Sequence, residues 1–169
     1  MPLLVYIYIA IQLLTVAYID VQSKKISNKW PIANIFLYGL LVLLLPQYYN
    51  FNFETFVWPI GFFVAGFLLF LTKVMGGGDS KYLASFYLLV PVKFHEEAFM
   101  SLAVATLFVG GSVFLRNILK NADLIIQAYR DRNIAAIRSV FGKKFSFAPV
   151  IFISWMWFGW TIRKFLVFF

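Results

Sequence analysis

The sequence predicts an all-α protein that crosses a membrane several times, and three features of its composition point to this class. Of the 169 residues, 62% are hydrophobic, only 13% are charged, and the mean hydropathy is +0.83. Soluble domains have about 45–50% apolar and about 25% charged residues. This chain therefore has too little polar surface to cover a water-soluble globule, and it is too apolar to be disordered.

Six apolar segments are candidates for membrane-spanning helices, which need roughly 17–25 residues. They cover residues 2–19, 30–45, 55–75, 80–94, 98–115 and 145–160. The second and fourth segments are shorter than the ideal length. We expect a single transmembrane domain over residues 1–169 with about six helices.

The basic residues are distributed unevenly among the loops that connect these segments. Twelve of the 15 Lys and Arg residues fall in loops 22–29, 73–81 and 116–144, and three fall elsewhere. Cytoplasmic loops of membrane proteins carry an excess of Lys and Arg. The pattern predicts that these three loops face the cytoplasm and that both termini face outward. The excess of Lys and Arg in cytoplasmic loops thus accounts for the net charge of +8. We therefore expect no nucleic acid partner.

The longest of these loops, residues 117–144, contains apolar side chains at helical spacing, namely Ile134, Ile137 and Phe141. Because Arg130, Arg132 and Arg138 lie among or just before them, the pattern favours an amphipathic helix that lies on anionic lipid headgroups. An ordinary solvated cytoplasmic loop is the alternative interpretation.

Two of the seven acidic residues, Asp20 and Asp79, lie at predicted boundaries between helix and membrane. Asp20 directly follows the first segment, and Asp79 follows Gly76, Gly77 and Gly78. Two crossings separate them, so both are expected on the cytoplasmic face. Simpler interpretations are a boundary residue that reaches water for Asp20 and an ordinary helix cap for Asp79. Three successive glycines exceed what a cap needs, because they allow positive φ and close approach of a second polypeptide.

A pair of nearby carboxylates has a specific chemistry. Two carboxylates in a low-dielectric site tend to share one proton, so one can activate water while the other donates to a carbonyl oxygen. This is the chemistry of an aspartyl protease. It needs no metal or cofactor, and we expect none. The absence of Cys excludes thiol catalysis and Cys-based zinc sites. Composition and topology permit this pairing without demonstrating it.

Several motifs resemble those of the type IV prepilin peptidases. Residues 76–79 match the GxGD motif of intramembrane aspartyl proteases, and Lys81 stands where that family has a lysine. Asp20 is followed by Lys24-Lys25-Ile26-Ser27-Asn28, which is similar to a basic Ile-Pro-Asn with Ser27 in place of Pro. Residues 145–149, Phe-Ser-Phe-Ala-Pro, resemble the entry to the last helix of the family.

This resemblance implies a membrane-embedded aspartic endopeptidase of the inner or plasma membrane. It would remove the short basic leader from prepilin-like precursors at the cytoplasmic face, with Asp20 and Asp79 as the catalytic pair and Gly76, Gly77 and Gly78 as the active-site loop. Lys81 would either support the charged intermediate or be an ordinary lysine at the membrane boundary. The expected partners are the precursor, membrane lipid and the pilus assembly machinery.

The chain has no Cys and no room for the Cys-rich insertion of the larger bifunctional members of that family. It therefore resembles the short, peptidase-only members of Flp (tight-adherence) pilus systems, which lack the N-methyltransferase domain. An archaeal preflagellin-type substrate stays open.

Two other functions remain as alternatives. A small proton-coupled transporter would use membrane carboxylates near the midplane, and a non-enzymatic subunit of a secretion or pilus machine would tolerate substitution of both aspartates.

Gln12 is the one strongly polar side chain of the first segment. We expect it to form a hydrogen bond between helices.

Overall fold

The computed structural model describes residues 1–71, 75–130 and 146–167, and these residues form helices and turns without a β-sheet. The predicted all-α class is therefore confirmed. In chain order the helices are α1 (Leu3–Ser23), α2 (Lys29–Leu44), α3 (Phe53–Leu71), α4 (Gly77–Tyr87), α5 (His95–Lys120), α6 (Ala122–Arg130) and α7 (Ala148–Thr161), with 3-10 turns at Val92–Phe94 and Arg163–Phe165.

Three stretches of the described residues are long and apolar enough to cross a membrane. They are α1, α3 and the stretch Val92–Lys120, which contains α5. With 16, 11 and 14 residues, α2, α4 and α7 measure about 24, about 16 and about 21 Å. These lengths fall short of the roughly 30 Å hydrocarbon core. The six crossings and the outward N-terminus stay predictions.

Helix α4 is shorter than the predicted segment 80–94. It ends at Tyr87, and the chain then turns through Leu88 to Val90 before Pro91. Proline lacks an N–H group and disfavours helical backbone at the preceding residue. The apolar run continues past this point, so hydropathy alone overestimated the length of the helix.

Both aspartates lie inside helices, whereas the sequence pattern placed them at helix boundaries. Helix α1 continues through Asp20 to Ser23 and ends where Lys24 adopts a left-handed backbone conformation with φ of 53°. The Lys24 N–H donates to the Asp20 carbonyl oxygen at 2.9 Å. Because α4 begins at Gly77, Asp79 lies in its first turn.

The segment predicted as a loop from residue 117 is helical as far as Arg130, first in α5 and then in α6. In α6, Asp123, Gln127 and Arg130 share one face, whereas Leu124 and Ile126 are more than half exposed. This arrangement makes α6 amphipathic. The predicted apolar positions Ile134, Ile137 and Phe141 lie outside the described residues.

Helix α4 lies at the centre of the bundle. From Asp79 to Pro91, every residue except Lys81 is buried. Helices α3 and α2 pack against α4, while α7 packs against α1 and α5. The approach of α3 is close, because a β-carbon at Gly66 would lie 2.6 Å from the Ser80 side chain.

The bundle has two distinguishable ends. At one end, Pro2 and Val167 form a parallel backbone bridge, and the Tyr49 hydroxyl donates to the Leu89 carbonyl oxygen in the turn after α4. The other end contains the C-terminus of α1 and the N-termini of α4 and α7. Both aspartates belong to this second end.

We predict that Gly159→Ala lowers the thermal stability of the protein. A β-carbon at this position would overlap the Tyr6 phenol ring. Tyr6 cannot easily move, because it stacks on Trp155 at 5.0 Å and its hydroxyl donates to the Trp155 carbonyl oxygen at 3.2 Å. Overpacking of this kind costs about 1–3 kcal/mol. The measurement is thermal unfolding in detergent, followed by tryptophan fluorescence.

The matched control for this substitution is Gly61→Ala in α3. A β-carbon at Gly61 meets no atom within 4 Å, and alanine favours a helix over glycine by roughly 0.5–1 kcal/mol. This variant should match or exceed the stability of the parent. Equal stability of the Gly159→Ala variant and the parent would contradict the packing described for α1 and α7.

Candidate active site

Asp20 is buried where the end of α1 meets the start of α7. Its side chain is 3% exposed, and its Oδ2 atom accepts a hydrogen bond from the Ala148 backbone N–H at 3.2 Å. Ala148 is the first residue of α7. The N-terminus of a helix carries unpaired N–H groups and a partial positive charge, so this hydrogen bond favours the ionised carboxyl group, whereas burial opposes it.

Two further hydrogen bonds connect the end of α1 with the segment before α7. The Ser146 hydroxyl donates to the Asp20 carbonyl oxygen at 3.3 Å, and the Lys24 Nζ atom donates to the Ser146 Oγ atom at 2.6 Å. The motif resemblance drew attention to both Lys24 and the segment before α7. It did not indicate that the two meet, because more than 120 positions separate them along the chain.

Asp79 is 8% exposed and lies in the first turn of α4. Its Oδ2 atom accepts from the Gly76 backbone N–H at 3.1 Å, and its own N–H donates to the Gly76 carbonyl oxygen at 3.1 Å. The interpretation of Asp79 as an ordinary N-cap ahead of the helix is wrong, because Gly76 is the N-cap and Asp79 is the third helical residue, whose side chain bonds back to the Gly76 N–H. This cap hydrogen bond engages the Oδ2 atom of the carboxyl group.

The three glycines differ in what surrounds them. A β-carbon at Gly76 would lie 2.8 Å from the Asp79 Oδ2 atom, and one at Gly78 would lie 2.8 Å from the Ile26 carbonyl oxygen. A β-carbon at Gly77 would only touch the Phe70 ring at 3.4 Å, which is an ordinary contact. The third glycine is therefore sterically required by the Ile26 backbone, the first leaves space for the Asp79 carboxylate, and the middle one faces no such constraint.

None of these glycines has a positive φ, so the expectation that they supply left-handed backbone is wrong. They permit close approach instead, as the sequence also suggested. The segment that approaches Gly78 belongs to this chain itself, since Ile26 lies in the connection between α1 and α2.

The contact between Gly78 and Ile26 joins the surroundings of the two aspartates. Ile26 lies six residues after Asp20, and Gly78 immediately precedes Asp79. The connection that leaves the first aspartate thus packs against the turn that presents the second. The structure places both buried carboxyl groups at one end of the bundle, each with a backbone N–H donor.

Lys81 occupies a different side of α4. It is exposed and lines a groove of about 350 Å³ between α2, α3 and α4, whose other lining residues are almost entirely apolar. A separation of two residues corresponds to about 200° around a helix, so the side chains of Lys81 and Asp79 leave α4 in nearly opposite directions. Helix geometry therefore gives no support to a direct contact between them, and a catalytic role for Lys81 stays a prediction.

Comparison with known protein families identifies the family of the chain. The model of the type IV leader peptidase family matches residues 7–115, which is well over half of the chain and includes both aspartates and all three glycines. No curated protein and no solved structure shows significant similarity to the chain. The family match shows that the chain belongs to the type IV leader peptidase family.

Proposed function

We propose that this family member is an aspartic endopeptidase that acts on prepilin-like precursors, with Asp20 and Asp79 as its catalytic pair. The observation that carries the proposal is the burial of both carboxyl groups at one end of the bundle. Buried acids in a membrane protein are costly and tend to be functional. Each acid here accepts a hydrogen bond from a backbone N–H group, which holds its carboxyl group in place.

The proposed reaction is the hydrolysis of one peptide bond. One aspartate, ionised, takes a proton from water as the oxygen attacks the scissile carbonyl, while the other donates a proton to the carbonyl oxygen. Collapse of the tetrahedral intermediate then breaks the C–N bond, and a proton passes to the departing amine. The two carboxyl groups titrate as a unit, so neither is assigned the role of base.

The membrane position follows from the charge pattern. The end of the bundle that contains both aspartates also contains Lys24, Lys25 and Lys29. The positive-inside rule places such basic loops in the cytoplasm. A precursor with a short basic leader and an apolar helix would meet the site at this face. Since enzyme and leader are both basic, specificity would come from docking of the apolar helix rather than from charge attraction.

Two finer assignments belong to the same proposal. The chain has no Cys and no room for the Cys-rich insertion of the bifunctional members, which favours a peptidase without methyltransferase activity, as in Flp pilus systems. The amphipathic α6 follows Lys120, ends at the basic Arg130 and has exposed apolar side chains, Leu124 and Ile126. These features suit contact with anionic lipid headgroups.

We predict that Asp20→Asn and Asp79→Asn each abolish leader removal. An amide can accept the same backbone hydrogen bond but can neither act as a base nor carry the shared proton, and general acid–base catalysis contributes about 10²–10⁴-fold to rates. The measurement is the mobility shift of a matched prepilin co-expressed with each variant. The control is Asp123→Asn, which removes an exposed acid from α6 and should process normally.

If either catalytic variant is produced at parental levels and still processes the precursor at the parental rate, the proposed pair is wrong. Retention of pilus assembly together with tolerance at both aspartates would favour the scaffold alternative.

We predict opposite outcomes for alanine at adjacent glycines. Gly78→Ala should reduce leader removal by at least about 10-fold, because the added methyl group pushes the Ile26 backbone away and misplacement near 1 Å can cost about 100-fold in rate. Gly77→Ala adds the same atoms one residue earlier and meets only the Phe70 ring, so its rate should stay near that of the parent. Initial rates with purified enzyme and precursor test this pair, and equal losses in both variants would contradict the steric explanation.

We predict that the two ends of the bundle lie on opposite sides of the membrane. The native chain has no Cys, so single substitutions can be labelled without background. Lys25→Cys should react with a membrane-impermeant maleimide only when the cytoplasmic side is accessible, and Gln47→Cys, in the α2–α3 connection, only from outside. Reaction of both from one side would contradict the proposed topology.

A further inference from the structure

Three buried polar side chains form a hydrogen-bonded chain across the bundle, and we call this set the polar bracket. The Gln12 Nε2 atom donates to Asn34 Oδ1 at 2.6 Å, and the Asn34 Nδ2 atom donates to Ser85 Oγ at 3.1 Å. The three residues belong to α1, α2 and α4, respectively, and are 4%, 0% and 5% exposed. The predicted interhelical hydrogen bond of Gln12 is thereby confirmed, and its partner is Asn34.

The bracket demands one particular arrangement of three helices. Asn34 is both acceptor and donor, so its amide is satisfied only when α1 and α4 stand on either side of it at hydrogen-bonding distance. The Ser85 hydroxyl, in turn, donates to the Tyr82 carbonyl oxygen of its own helix at 2.9 Å. An unsatisfied amide among apolar helices is costly, and displacement of either helix would break the chain.

The position of the bracket relates it to the candidate catalytic pair. Gln12 precedes Asp20 by eight residues, about 12 Å along α1, and Ser85 follows Asp79 by six residues, about 9 Å along α4. The bracket therefore connects the two aspartate-bearing helices at a similar distance from each acid. It lies between the aspartates and the opposite end of the bundle.

The main packing partners of α1 and α4 are different helices, and the apolar link between the two runs through Trp155 of α7, whose ring packs against Tyr6 of α1 and Phe86 of α4. Helix α1 packs chiefly against α7, whereas α4 packs chiefly against α3. Non-directional apolar packing tolerates small shifts between such units, whereas a hydrogen bond is lost when its length or angle changes. The bracket thus supplies a directional restraint between the two helices.

From these observations we infer that Asn34 is a positioning residue that fixes the spacing between the helices carrying Asp20 and Asp79. The inference rests on the proposed function for its effect on peptide hydrolysis. Its effect on helix spacing can be measured separately. Asn34 touches neither aspartate, and it acts through Gln12 and Ser85.

The first test measures the distance between the two helices directly. Cysteines replace Val21 and Lys81, both exposed, and carry spin labels, and double electron–electron resonance in nanodiscs gives the distance distribution. Asn34→Leu should broaden or shift this distribution relative to the parent. Leucine has a similar size and can pack among the same helices, but it neither accepts from Gln12 nor donates to Ser85.

A matched pair of serine substitutions keeps the test decisive if Asn34→Leu fails to fold. Ser85 and Ser154 are both 5% exposed, and each hydroxyl donates to the backbone carbonyl three residues earlier. Only Ser85 also accepts from Asn34. Ser85→Ala should therefore alter the distance distribution, whereas Ser154→Ala should leave it unchanged.

The second test measures catalysis in the parent background without cysteines. Asn34→Leu and Ser85→Ala should each lower kcat for precursor cleavage by about 10- to 100-fold while KM changes little, because the precursor still binds. The double variant should lose no more than the worse single variant, since both break the same connection. Ser154→Ala should retain parental kcat.

The outcomes separate the inference from the proposed function. An unchanged distance distribution in both Asn34→Leu and Ser85→Ala overturns the inference, whatever the activity. An altered distribution with parental kcat also overturns it, because spacing would then not matter for catalysis. Absence of peptidase activity in the folded parent overturns the proposed function instead, while the spacing measurement still decides whether the bracket sets helix separation.

Discussion

The constraint on which this structure depends is that an acid buried inside a helical bundle must receive hydrogen bonds from the protein. Burial of an unpaired carboxylate is very costly. Asp20 receives its bond from the first residue of α7, and Asp79 receives its bond from Gly76 before α4. Both donors are backbone N–H groups around the start of a helix, where such groups lack intrahelical partners. The acids therefore help to fix where α4 and α7 begin, and the site cannot be separated from the fold.

The glycine motif has a steric explanation in the same interactions. At Gly76 the space of a side chain is taken by the Asp79 carboxylate, and at Gly78 it is taken by the Ile26 backbone. In the pattern Gly-x-Gly-Asp, the first glycine thus leaves space for the carboxylate of the aspartate, and the second leaves space for the Ile26 backbone. The middle position is free because a β-carbon there meets only an aromatic ring at ordinary distance.

The sequence was sufficient for the helical class, and it drew attention to two acids that the structure buries, but it did not reveal the partners of these acids. Long apolar segments and a one-sided charge distribution are local properties, so they can be recognised without tertiary structure. The hydrogen bond from Ala148 to Asp20 joins residues 128 positions apart, and Asn34 lies within an apolar helix with no local sign of two partners. Such contacts depend on how helices pack. The length of α4 was overestimated because residues 88–94 stay apolar after the helix has ended.

The shortness of α4 is consistent with its position. A helix of 11 residues cannot cross a hydrocarbon core, and irregular backbone at membrane depth is tolerated where protein, rather than lipid, surrounds it. Residues 82–91 are all buried, and the Tyr49 hydroxyl satisfies the Leu89 carbonyl oxygen just beyond the helix. Asp79 therefore begins a helix that is enclosed by its neighbours and anchored at its far end. An acid on such a helix is held in place and enclosed by protein, as its proposed pairing with Asp20 would require.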